Sequence, residues 1–237
     1  MTTQPVMQIR NVSRNYRLGR TVIPALKDVS LDILHKDFLV IAGPSGSGKT
    51  TLLNLAGLID KPDSGEVWIG NEDITRRSLS SLFKFRRDKI GYIFQTFNLI
   101  PVMNVYENVA YPLILSGISP LERKAIVDDI LRKVGLYERK KHRPKELSGG
   151  ERQRVSVARA VVKSPDIILA DEPTANLDSK TGLGILELMQ KFHRENGTTF
   201  VFSSHDPRIV AMGKRVAQLQ DGEIRSLVER EETGRGS

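Results

Sequence analysis

The 237-residue sequence predicts an α/β fold with three parts. A mainly parallel sheet forms the core, an antiparallel β subdomain lies ahead of and beside it, and a helical subdomain occupies the middle of the chain. Three observations predict this. Short runs rich in apolar residues at 38–42, 166–170 and 199–203 alternate with segments of helical periodicity, the pattern of parallel strands covered on both faces. The first third reads as extended segments joined by tight turns. Residues 97–145 read as helix. The expected layout is a single domain over 1–237. Its core and β subdomain span about 1–96 and 147–228, its helical subdomain about 97–146, and a frayed tail about 229–237.

Each element has a local reason. Residues 7–17 and 22–33 are extended and meet at Leu18-Gly19-Arg20, where glycine suits a turn. Residues 66–69 are a further extended segment before Gly70-Asn71. Residues 38–42 are apolar throughout and strand-sized, and a helix is expected over 51–57. In the middle, Ser119-Pro-Leu-Glu122 is a capping box with proline in the first turn, and Gly135 ends the helix that follows. That helix places Ile126, Ile130 and Val134 at i, i+4 and i+8. The helix at 179–193 carries Ile185, Leu186, Leu188, Met189 and Phe192 near one stripe, with Asp178 as its cap.

Chemistry enters directly after the first buried strand. Gly43, Pro44, Ser45, Gly46, Ser47, Gly48, Lys49 and Thr50 match the phosphate-binding loop pattern in full, between a strand and a helix. Glycines let backbone amides wrap a polyphosphate, and the helix start adds the positive end of its dipole. Lys49 is the cation for the β/γ phosphates, Thr50 the hydroxyl for Mg2+, and Thr51 follows in the same cradle. The core is thus that of a P-loop nucleotide triphosphatase, with a nucleoside triphosphate and Mg2+ as the expected ligands. Far downstream, Ile167-Ile-Leu-Ala-Asp171-Glu172 is a buried strand ending in two carboxylates. Strand alternation points them apart, so Asp171 serves the metal and Glu172 reaches a water as general base. Leu147-Ser148-Gly149-Gly150-Glu151 opens a helix and forms a second anion-ready terminus. One nucleotide does not need two such termini from one chain, which hints at a nucleotide shared between two copies.

In this order and spacing, the phosphate loop, the Leu-Ser-Gly-Gly segment and the acidic strand end resemble the nucleotide-binding domain of ATP-binding-cassette (ABC) proteins. The resemblance runs from about residue 7 to 225. It implies a head-to-tail dimer in which each ATP lies between one subunit's phosphate loop and the other's Ser148, Gly149 and Gly150. It also implies that Tyr16 stacks on adenine and that Gln95 reaches Mg2+, the reacting water and the transmembrane partner. Asp178 in Asn176-Leu-Asp178 would lie at the dimer interface, and His205 would contact the γ-phosphate. Two positions depart from the usual pattern: Glu151 stands where many members have Gln, and Ser204 where Thr is frequent. Neither removes a catalytic group, so an active ATPase is expected. The segments Gln95-Thr-Phe-Asn-Leu-Ile-Pro101 and Glu107-Asn-Val109 are similar to the lipoprotein-releasing and macrolide-exporting branch, which also includes a cell-division ATPase.

Composition narrows the classes. There is no cysteine, hence no disulfide and no thiolate chemistry. No secretory leader is expected at the start, no run is long enough to span a bilayer, and no regulatory extension is expected beyond Arg225. The formal net charge is +8, and residues 76–145 hold 15 Lys and Arg against 6 Asp and Glu. That excess is either a solvated face or one turned toward a partner's loops or an anionic leaflet. The implied function is the ATP-binding and ATP-hydrolysing subunit that powers a membrane transport complex. Its expected partners are a second nucleotide-binding subunit, as a homodimer, and integral membrane permease subunits. Its expected position is peripheral, on the cytoplasmic face of the cell membrane, with contact to that leaflet and no nucleic acid. The competing readings are an ABC ATPase of a cell-division, nucleic-acid or ribosomal complex, and a nucleotide switch that works by binding alone.

Overall fold

A computed structural model describes residues 5–230. The expected tail at 229–237 lies outside the described residues from 231 onward. The chain divides into two compact units, one comprising residues up to Leu82 together with those from Thr199 onward, the other Phe83–Thr198.

The first unit opens with the expected hairpin, β1 (Pro5–Leu18) and β2 (Thr21–Leu34), antiparallel and turning at Gly19 with φ 61°. On its other side β1 pairs with β4 (Ser64–Ile69), which turns back at Gly70 into the short β5 (Glu72–Asp73), giving a sheet of order β2-β1-β4-β5. A second set of strands is built around β3 (Phe38–Ala42), buried along its whole length. It pairs in parallel with β8 (Thr199–Ser204) on one side and β9 (Arg215–Gln220) on the other, and β10 (Glu223–Glu229) returns antiparallel along β9. Two helices belong here, α1 (Lys49–Ala56) and α7 (Pro207–Met212). Phe38, Phe200 and Phe202 pack as one aromatic cluster, with Phe38 and Phe202 centroids 4.7 Å apart.

The second unit holds the parallel pair β6 (Ile90–Ile93) and β7 (Ile167–Asp171). Its helices are α2 (Phe83–Lys89), α3 (Val105–Leu115), α4 (Pro120–Lys133), α5 (Gly149–Val161) and α6 (Ser179–Asn196). Two single 3-10 turns, Tyr137–Arg139 and Pro144–Glu146, follow α4. Ser119 caps α4, its hydroxyl accepting from the Glu122 amide at 3.4 Å. Gly135, φ 71°, ends it in a Schellman closure: Gly135 N to Arg132 O at 3.0 Å and Leu136 N to Leu131 O at 2.8 Å. The buried stripe of α4 is Val127, Ile130, Leu131 and Val134, so Ile126 sits at its margin rather than at its centre. The i, i+4, i+8 series drifts around a helix of 3.6 residues per turn, whereas the i, i+3, i+4, i+7 set holds one face.

Several cations of residues 76–145 are paired in the fold, mostly with acids of the same segment. Lys124 and Lys140 share the buried Asp128 at 2.8 and 3.4 Å, Lys133 pairs with Asp129, Arg139 with Glu151, Lys89 with Asp166 and Arg87 with Asp88. Arg132 and Lys140 both lie over the Tyr137 ring, at 4.2 and 3.9 Å.

In the first unit a buried ion pair ties the strand ends together. Arg215 donates to Asp37 Oδ2 at 2.6 Å and to Asp32 O at 2.9 Å, with Asp37 5% exposed. Burial pushes the Asp37 carboxyl up, and the bond and charge of Arg215 pull it back. Arg215→Ala should therefore cost about 3–5 kcal/mol at neutral pH, because it leaves a buried carboxylate uncompensated. The loss should shrink in acid, where Asp37 can bind a proton and become neutral. Urea unfolding midpoints at pH 7 and pH 5 read both effects.

Candidate functional site

In the first unit, β3 delivers the chain into the phosphate loop. Gly43 has no room for a side chain, since a Cβ there would stand 2.1 Å from Leu219 O. Gly46 and Gly48 have φ of 79° and 104°, which bend the loop back on itself and into α1. At Gly48 a Cβ would also meet Ala25 O at 2.4 Å. The helix begins at Lys49, two residues before the sequence suggests, so Lys49 and Thr50 belong to its first turn. That turn carries no acidic residue and no side-chain cap. No carboxylate of the helix's own first turn therefore competes for its leading amides and dipole, which favours phosphate there. Lys49 is 7% exposed and donates to the carbonyls of Gly43 and Pro44, each at 2.9 Å. The ammonium is thus held along the loop that surrounds the anion site.

His205 steps off β8 at the same end. The register pairs Ala42 with Ser204, so Gly43 and His205 leave neighbouring parallel strands together. Ser204 is buried and its hydroxyl accepts from the Asp206 amide at 3.0 Å, a bond threonine could also make. Asp206 in turn caps α7. Tyr16, 38% exposed, lies on β1 opposite Ile23, its hydroxyl donating to Asp60 Oδ2 at 2.9 Å.

The second unit carries the other residues. Ile93 pairs with Ala170, so the segments bearing Gln95 and Asp171 leave β6 and β7 at one end. Asp171 is the last strand residue. Glu172 has a left-handed φ of 41°, so strand alternation does not extend to it, and the backbone itself turns the second carboxylate out of the strand. Such a conformation costs about 1–3 kcal/mol and must be held by its surroundings. Ala175 N bonds Glu172 O at 3.1 Å, and Gln153 from α5, fully buried, donates to Pro173 O at 2.6 Å. Gln153 escaped the sequence reading. Its signal was a polar residue on the buried side of an apolar-periodic helix.

Ser148 caps α5 in a full capping box with Glu151. Here Glu151 is the reciprocal partner of Ser148, and the bond from the Ser148 amide holds its carboxyl below the usual range. The exposed Ser148 hydroxyl accepts from Glu151 N and keeps its own hydrogen to donate. Gly149 and Gly150 let α5 lie against the 176–181 segment: a Cβ on Gly150 would stand 2.4 Å from Thr181 Cγ2, and one on Gly149 3.4 Å from Leu177 Cδ2. The structure therefore brings Ser148, Gly149, Gly150 and Asp178 together. Asp178 caps α6 and is held below the usual range by Thr181. Asn176 donates to Gln95 O at 2.9 Å. Just beyond Gln95, Phe97 and Asn98 are both left-handed, at 64° and 45°, and Arg159 of α5 donates to both of their carbonyls.

Among the described residues no group of three or more His, Cys, Asp or Glu could hold a metal alone. Thr50 in the first unit offers a hydroxyl oxygen, and Gln95 and Asp171 in the second offer carboxamide and carboxylate oxygens, each a hard donor of the kind Mg2+ accepts.

A family model described as ABC transporter matches residues 26–175. An uncharacterized ABC transporter ATP-binding protein of Methanocaldococcus jannaschii, MJ0796, is 46% identical over 235 residues, covering 98% of each chain. The ABC transporter ATP-binding protein YtrE of Bacillus subtilis is 44% identical over 224 residues, with 93% of this chain and 97% of the relative covered. The macrolide export ATP-binding/permease protein MacB of Marinobacter nauticus is 39% identical over 224 residues, 94% of this chain but 35% of that longer protein. The dimeric, post-hydrolysis structure of MJ0796 bound to ADP and Pi matches with TM-score 0.88 and 43% identity, covering 95% of this chain and 99% of that one. The chain belongs to the ABC transporter family, as an ATP-binding and ATP-hydrolysing cassette of a transporter.

Proposed function

We propose that this ATPase powers a transport complex of the lipoprotein-release or macrolide-export type, as a homodimer bound to integral membrane permease subunits. The observation that carries the proposal is the α5 terminus, where an exposed Ser148 with a donatable hydrogen stands ahead of two glycines. That is a phosphate-ready feature additional to the bare start of α1. The dimeric MJ0796 structure and the macrolide exporter's fused ATP-binding and permease parts support it. Among the described residues no helix is long and apolar enough to cross a membrane. A peripheral place on the cytoplasmic face, beneath separate permeases, accords with that. In this reading the chain is one nucleotide-binding domain with a core, a β subdomain and a helical subdomain near 97–146.

The chain's own groups divide the work as follows. The loop amides of 43–50 and Lys49 bind the β and γ phosphates, and Tyr16 stacks on the base. Thr50, Gln95 and Asp171 would hold Mg2+, which would supply charge neutralisation to the phosphates. Glu172 accepts the proton of the attacking water, and His205 donates to the γ-phosphate as charge develops. Ser148, Gly149 and Gly150 of one subunit close on the partner's γ-phosphate, with Asp178 at the same interface. Closing and opening of the dimer are the mechanical output.

Glu172→Gln tests the catalytic core. It should lower kcat by about 10²–10⁴-fold while a dimer accumulates on Mg-ATP in light scattering. Unaltered turnover would remove Glu172 from the mechanism. The trapped variant, immobilised and mixed with detergent-solubilised membranes of the source cell, should retain a multi-span protein. Retention of ribosomes or nucleic acid instead would replace the transport reading with the soluble one.

The exposed Lys141 and Lys145 test the basic face, since Arg139 and Lys140 are engaged within the fold. Reversing both to Glu should reduce sedimentation with anionic vesicles, at about 1 kcal/mol per cation near a charged surface. Soluble ATP hydrolysis should stay at the parent rate. Unchanged sedimentation would reassign these lysines to plain solvation.

A further inference from the structure

The reading of Tyr16 as the base-stacking aromatic leaves one question: what holds an exposed ring on a hairpin in a fixed orientation. Tyr16 is 38% exposed, and its cross-strand neighbour Ile23 is 45% exposed. Beside it lies Arg14, two residues earlier on β1, with its guanidinium carbon 5.0 Å from the ring centroid. The β1–β2 register shifts on both sides of Arg14, an irregularity of the kind that re-aims a side chain.

Arg14 is held in turn. Its Nε and Nη2 donate to Asp60 Oδ2 and Oδ1 at 3.0 and 2.9 Å, a two-pronged fork, and Nη1 donates to Asp63 Oδ1 at 2.7 Å. Asp60 Oδ2 also accepts the Tyr16 hydroxyl at 2.9 Å. Asp63 Oδ2 accepts the amide and the side chain of Asn15 at 2.7 and 3.1 Å. Partial desolvation, which alone would raise the Asp63 carboxyl, is outweighed by these bonds, and the group sits below its usual range. With Nε, Nη1 and Nη2 all committed to carboxylates, the guanidinium is directed into its own fold rather than toward phosphate. Planar bidentate pairing fixes orientation as well as distance.

The far end of the fork matters as much. Asp60 lies four residues beyond α1, the helix that starts in the phosphate loop, and its carboxylate also caps the Lys61 amide at 2.7 Å. The Arg14–Asp60 fork therefore ties the strand bearing the ring to the exit of the phosphate helix.

We propose that Arg14, locked on Asp60 and Asp63, is a positioning residue that braces the Tyr16 ring and sets its place relative to the phosphate loop. The nucleotide's base then meets a ring already oriented and does not have to order it. This inference rests on the stacking role of Tyr16, and the two fail separately in one experiment. Base–aromatic stacking contributes about 1–3 kcal/mol, so Tyr16→Ala should raise KM for ATP roughly 5–150-fold. Arg14→Ala keeps the ring but frees it, and should raise KM for ATP roughly 3–10-fold with kcat unchanged. Inorganic triphosphate, which has no base, should compete equally well against the parent and Arg14→Ala.

A KM rise in Tyr16→Ala with none in Arg14→Ala overturns the brace and leaves the stacking role standing. No KM rise in Tyr16→Ala removes the stacking role and the brace with it. If Arg14→Ala loses kcat, or weakens triphosphate as much as ATP, Arg14 is a general structural residue and the proposal fails. Should Arg14→Ala not fold, Asp60→Asn carries the same comparison, since it removes the charge that holds the fork at nearly constant volume.

Discussion

A strand buried on both faces can present functional groups only where it ends. β3, β8 and all but the last residue of β7 are buried along their length, so their sequences have no place for charge between the ends. Ionised groups there would lose solvation without recovering it. The polar residues collect where parallel strands stop: Gly43 beyond β3, His205 beyond β8, Asp171 and Glu172 at the end of β7, Gln95 beyond β6. Parallel register makes these exits coincide within each unit, because Ala42 pairs with Ser204 and Ile93 with Ala170. The chemistry sits where the hydrophobic constraint lapses.

A second theme is the removal of side chains to let backbones approach. Gly43 stands against Leu219 O and Gly150 against Thr181, each closer than a Cβ would tolerate. At the phosphate loop this lets the exit of β3 lie against Leu219 near the end of β9. At α5 it brings the helix start onto the segment that precedes and opens α6. In both places the missing side chain lets one piece of chain pack on another. A glycine pair in a sequence therefore signals close approach without saying to what.

Legibility followed from how local each feature was. The phosphate loop, the acidic strand end and the Ser-Gly-Gly cap are contiguous, so strand, turn and helix signals reinforced one another, and their positions in the structure match. β6 was harder to see, with four residues between a basic helix and a polar loop. β9 and β10 lack a motif to draw attention. The conformation of Glu172 was not legible, because a left-handed glutamate depends on what surrounds it, including Gln153 from another helix. Arg14 and Asp60 are 46 positions apart and were joined only by folding. The basic segment was legible only as a count, because composition does not say which cations are paired: folding sets Lys124 and Lys140 on the one carboxylate of Asp128.

α5 has a consequence beyond its cap. At its head it carries Ser148, further along it grips Pro173 through Gln153, and toward its tail it grips the carbonyls of Phe97 and Asn98 through Arg159. From Ser148 to Arg159 is eleven residues, or about 16 Å of helix axis. A hydrogen-bonded helix of that length resists bending, so it behaves as a stiff lever with three handles. A displacement of its head would be carried to its tail, where Arg159 holds the carbonyls of two consecutive left-handed residues. One stiff helix thus joins the Ser148 terminus to the loop beyond Gln95.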